Sequence, residues 1–331
     1  MAFPVATGAT TPPIYPAGSA GNGLSGTGYI PEIWSGKLIE KFYASTVLAA
    51  ISNTDYEGDI KAHGDKVHIR TKPTITIRAY LADAALELER PQGNQVILNI
   101  DQGQYFNTIL DDVMKVQSDI NLMSMWSDDA AEQMKIVIDR AVLLGILNQA
   151  TAVTNRGVTA GAITAAINLG ATTTSLVIVT NSPTGGEVDV LDMMMRLGQT
   201  LDEQNIPETG RWIVMPTWLA AMVKRSELRQ AYLSGDSVSM MRNGRLGMVD
   251  RFTLYTSNLL PFGVAAGLVS TEYVVYAGHS HALTFASQMT QMETLRSELT
   301  FGQVMRGLQV YGYKVLDGTA LAQAIITKGT H

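Results

Sequence analysis

A chain of 331 residues, 46% apolar and only 16% charged, lies outside the disordered class and can bury a sizeable core, as one large domain or two intertwined ones. Its net charge of −6 argues against a dedicated nucleic-acid binder, which needs Lys and Arg to neutralise phosphates. With no cysteine, disulfides and Cys-based zinc sites are excluded.

Residues 1–28 are rich in Gly, Ala, Thr, Pro and Ser, as in Ala6-Thr7-Gly8 and Pro12-Pro13, and read as an extended arm. No basic segment precedes an apolar core there, so no secretory signal is expected. Tyr29-Ile30-Pro31-Glu32-Ile33-Trp34 is the first sticky stretch and anchors the arm. From Ser35 the pattern turns helical, with Leu38, Ile39, Phe42, Val47 and Ile51 near helical spacing. Lys66–Thr71 alternates instead, Val67 and Ile69 on one face and Lys66, His68 and Arg70 on the other. Pro73 interrupts, Thr74–Arg78 alternates again, and the turn-rich Arg90-Pro91-Gln92-Gly93-Asn94 precedes Gln95–Ile100. Together these predict a long two-stranded projection, marginal in water unless it lies against a neighbouring subunit.

Ser127-Asp128-Asp129 opens the strongest helical pattern, with acidic residues suited to the first turn. Its expected buried stripe is Ala130, Met134, Val137, Ile138, Ala141, Leu144 and Gly145. The apolar run Ala141–Leu147 is far too short to span a bilayer. Residues 151–290 read as a compact α/β insertion, with strands at Leu176–Val179, Arg211–Met215, Phe252–Thr256 and Tyr273–Tyr276. Helices are expected near Glu187–Gln204 and from Pro216, and Phe301–Leu316 is a β-rich return. No repeat of solenoid length is evident. The low charge content suggests that partners cover much of the surface.

Each chemical motif fails its context. Gly21-Asn22-Gly23-Leu24-Ser25-Gly26 spells the dinucleotide-binding glycine pattern but lacks the flanking strand and helix that hold a phosphate. Gly36-Lys37 lacks the earlier loop glycine of a P-loop. His279 and His281 have no further ligand near them in sequence and read as strand histidines. Asp111-Asp112 and Asp128-Asp129 are adjacent and diverge, unlike a facing acid–base pair. Trp34, Trp126, Trp212 and Trp218 lack the basic interleaving of a single-strand platform, leaving core or subunit contacts. No catalytic, cofactor or metal residue is assigned.

The order of parts resembles the major capsid proteins of tailed bacteriophages, podovirus-like members especially, which share the Hong Kong ninety-seven-type fold. Tyr29–Ser35 with its following helix looks like that family's arm-to-core junction, residues 56–104 like its extended loop, and Ser127–Asn148 like its spine helix. Gly244–Phe252 leading into Leu254–Pro261 looks like its glycine-flanked turn, strand and S-N-x-L-P exit. Phe301–Gly307 through Tyr313 resembles its strand returning to the peripheral domain. The resemblance implies an α+β fold: arm 1–28, junction and helix 29–55, loop 56–104, peripheral domain 105–150, axial domain 151–290 and C-terminal return 291–331. It implies a shell protein without catalytic activity, forming pentamers and hexamers of itself in the virion after assembly in the host cytoplasm. A scaffolding protein, separate because no long N-terminal extension is seen, a portal protein and a decoration protein are the implied partners. Double-stranded DNA would be enclosed without sequence-specific binding, and no membrane is involved. Contacts between subunits are expected at Trp34, Ile75, Ile77, Arg78, Arg90, Pro91, Gly93 and Asn94. An encapsulin-like compartment enclosing protein cargo and a soluble α/β enzyme are the rival readings.

Overall fold

Strand-forming runs and one long helix dominate a computed structural model of the chain. It describes residues 41–56, 66–80, 85, 87–118, 121–149, 153–180, 183–226, 247–298 and 300–329. The elements all lie in the unit Phe42–His331. In chain order come helix α1 (Leu48–Ile51), strands β1 (Lys66–Arg70), β2 (Gln95–Asn99) and β3 (Gln102–Asp111), and helices α2 (Asp112–Gln117) and α3 (Leu122–Asn148). Then follow β4 (Asn155–Arg156), β5 (Leu176–Val179), β6 (Val188–Asp189), α4 (Val190–Glu203), β7 (Arg211–Met215) and α5 (Thr217–Arg225). The rest is β8 (Met248–Val249), β9 (Phe252–Thr256), β10 (Glu272–His279), β11 (Leu283–Arg296), β12 (Gly302–Val315) and β13 (Leu321–Lys328).

The larger sheet runs β6-β5-β13-β10-β7-β9-β8, with β4 beside β13. Its central strands are almost continuously apolar because both faces are covered. Trp212, Val214, Val274 and Tyr276 join one core with Ile138, Val142, Leu143 and Ile146 of α3. The alternate residues Ile213, Met215, Val275 and Ala277 join a second core with Met193, Leu197 and Leu201 of α4 and Leu219 and Val223 of α5. Asp189 caps α4 by accepting from the Leu191 amide at 3.0 Å.

The second sheet is antiparallel, β11-β12-β3, with Tyr105 opposite Leu308 and Leu283 opposite Val315. The long helix touches both sheets. Tyr276 donates its hydroxyl to the Leu143 carbonyl at 2.9 Å, and Gly145 lies so close to the Tyr313 phenol that a Cβ there would overlap it.

Several expectations need correcting. Helix α3 starts at Leu122, capped by Asn121, so Asp128 and Asp129 lie beyond its first turn. Its buried residues are Ile138, Asp139, Val142, Leu143 and Ile146, whereas Val137 is 46% exposed. The expected stripe is thus out of phase over the helix's second half. In the segment expected to be helical from Ser35, the described part is helical only at Leu48–Ile51, and Phe42 is exposed. Residue 290 falls inside β11, and β13 sits between β5 and β10 in the larger sheet.

Candidate assembly surface

The region predicted to project begins as a true hairpin and then changes character. Strands β1 and β2 pair antiparallel, from Lys66 opposite Asn99 to Arg70 opposite Gln95. Ile69 and Leu98 turn inward onto Ile100 and Ala286, forming a small core that anchors the base. Past the ladder, Thr71 donates its amide and hydroxyl to the Asn94 carbonyl at 2.9 and 2.8 Å. Pro73 then supplies no donor, and Thr74–Arg78 forms no strand, contrary to its alternation. Side chains hold the two limbs instead. Glu89 accepts from the Thr76 amide at 3.1 Å, and Arg78 pairs with Glu87.

Of the expected contact residues, Ile75, Ile77 and Arg78 lie on one limb and Arg90, Pro91, Gly93 and Asn94 on the other. Asn94 and Gly93 stand at the point where the limbs leave the ladder, since a Cβ on Gly93 would press on the Thr71 carbonyl. That puts Arg90–Asn94 along the limb near the base, where no turn forms despite the turn-rich sequence. Ile77 is 90% exposed and Leu88 97%, with Ile75 and Tyr80 also open. Trp34, the arm 1–28, the two glycine motifs before residue 40 and Gly244–Leu246 lie outside the described residues.

A second apolar surface was not legible in the sequence. At one end of the three-stranded sheet, Val113, Met114 and Val116 of α2 are exposed near Ile109, Leu295 and Phe301. The Asp112 amide donates to the Phe301 carbonyl at 3.1 Å, and Arg296 pairs with Asp112 at 2.8 Å. Six residues of α2 are too few for a periodic stripe, so only their exposure identifies them.

The remaining candidates have structural roles. Asp111 caps α2 and Asp129 accepts from the Tyr43 hydroxyl at 2.9 Å. His279 ends β10 while His281 lies in the following turn, its amide donating to His279 Nδ1 at 3.2 Å, so the two do not share a strand. Among the described residues no three potential ligands cluster for a metal ion. Trp212 is buried in the core, and Trp218 meets Tyr273 edge-on. Asp139, buried on the long helix, was missed altogether.

A family model described as phage capsid protein matches residues 100–324. Among solved structures, a chain of Mycobacterium phage Che8 is 26% identical, with TM-score 0.69 over 90% of this chain and 97% of that one. The capsid of the cyanophage P-SCSP1u is 14% identical, with TM-score 0.67 over 92% and 94%. The capsid of a native GTA particle is 13% identical, with TM-score 0.62 over 93% and 99%. No curated protein matches.

Proposed function

The chain belongs to the phage capsid protein family, and on that premise we propose that its copies grip one another through the hairpin limbs. It is a structural protein of the capsid shell, not an enzyme, with an α+β Hong Kong ninety-seven-type fold. The observation behind the proposal is the exposure of Ile75, Ile77, Tyr80 and Leu88 on limbs without a backbone ladder. Apolar side chains on so thin an element gain burial only from another body. In a shell of identical chains that body is a second copy.

On this reading Arg78, Arg90, Pro91, Gly93 and Asn94 shape the contact, and Trp34 with the arm 1–28 adds to it. Copies associate as pentamers and hexamers in the host cytoplasm, guided by a scaffolding protein, closed on a portal and open to a decoration protein. The net charge of −6 favours enclosing double-stranded DNA without a sequence-specific grip. Ile77→Asp tests the contact. Subunits should keep their circular dichroism spectrum while particle yield by sedimentation falls at least several-fold. Normal yields of equally heat-stable particles would remove the hairpin from the interface.

A further inference from the structure

A pocket of 260 Å³ opens between residues 46–54, the long helix, β11 and β12. Leu48, Ala49, Ile138 and Phe285 give it apolar walls, and Asp139 belongs to its lining. Asp139 is 1% exposed. Its Oδ2 accepts from the Val47 amide at 2.9 Å, while Oδ1 is buried and has no hydrogen-bond partner among the described residues. The cation in the lining, Lys135, is bonded to Glu132. Residues 46–54, β11 and β12 bring only Thr46, Ser52, Thr54 and Gln309 as polar neighbours, none of them charged.

A buried carboxylate with one unpartnered oxygen, on the lining of a largely apolar pocket, is the complement of an ammonium group on an aliphatic stem. The stem takes the walls and the head takes the oxygen. We propose that this pocket receives a primary ammonium group, supplied in the shell by a lysine of a second copy. Burial holds the Asp139 carboxyl above the ordinary carboxylate range, a cost that an incoming cation offsets. The choice of donor rests on the hairpin reading above and on charge. Lys66–Tyr80 holds Lys66, Arg70, Lys72 and Arg78 without one Asp or Glu, and Lys66 and Lys72 are exposed.

The pocket is tested on free subunits with n-butylammonium chloride against sodium chloride at equal ionic strength. The wild-type melting temperature should rise by about 2–4 °C and saturate, as binding to the native state requires. 1-Butanol should do nothing, and Asp139→Asn should erase the difference. Ala49→Phe, which plugs the pocket and leaves the carboxylate in place, should erase it too. No ammonium-specific shift in the wild type, or an equal one in both variants, overturns the site. The donor is tested by a double-mutant cycle on shell melting. Asp139→Asn and the pair Lys66→Gln with Lys72→Gln should be non-additive in shells and additive in free subunits. Additivity in shells, or coupling to Lys135→Gln instead, overturns the second copy as donor. Shells that fail with Ile77→Asp while this cycle stays additive would keep the hairpin contact and remove only the lysine.

Discussion

Asp139 does two opposing things. It offers an acceptor to the amides at the start of α1, and it carries a carboxyl into the core. The amides of Val47 and Leu48 favour the anion, but burial outweighs them and raises the pKa. The native state therefore holds this proton more tightly than the unfolded chain does. Stability from this group is greatest below the ordinary carboxylate pKa and is lost as pH rises through the raised native value. Asp139→Asn has no such window, so its stability relative to wild type should increase with pH across that interval, read from urea midpoints. A flat difference would mean the carboxyl is not shifted. Gly312 is a second sensitive point, because a Cβ there would run into the Asn99 carbonyl oxygen at the base of the hairpin. The obstacle is backbone, which cannot swing aside. Gly312→Ala should cost about 1–3 kcal/mol in denaturant unfolding, although in an open strand alanine would be the better residue.

On the long helix, exposure separates two neighbouring substitutions. Leu143→Asp places an unpaired carboxylate among buried residues and should cost several kcal/mol, leaving insoluble chains. Val137→Asp points to open surface and should cost within about 1 kcal/mol. Equal expression and melting of the two would contradict the observed face. The phase was misread because Met134–Leu147 is apolar on nearly every side, and because Asp139, inside the buried stripe, made the true face look polar. Elsewhere local pattern sufficed. Arg211–Met215 and Leu176–Val179 are strands where their β-branched runs indicated, and the strand Phe252–Thr256 ends just before Ser257-Asn258. Thr74–Arg78 shows the limit, since alternation describes a strand only where a partner backbone is available, and Pro73 breaks the ladder before it reaches that stretch. The apolar end formed by α2, Ile109 and Phe301 joins residues almost two hundred apart in sequence, which no local period can report.

Across the whole molecule, β13 pairs with β10 through seven residues and with β5 through three, so the larger sheet is joined through a strand distant in sequence from β5. Such pairings make folding slow relative to helical proteins of the same size. The long helix extends about 40 Å and fastens that sheet to the three-stranded one near Leu143 and Gly145. On the proposed reading the shell encloses double-stranded DNA, whose phosphates repel one another and press outward on it. Under that load the helix would pass force from one sheet to the other across this turn, where it contacts both. Tyr276→Phe removes the hydroxyl from that contact and should lower subunit stability by only about 1 kcal/mol. Filled particles of this variant should nevertheless rupture at lower indentation force than wild type, while empty ones match it. On this account the helix that builds the subunit's core also carries load between its two sheets.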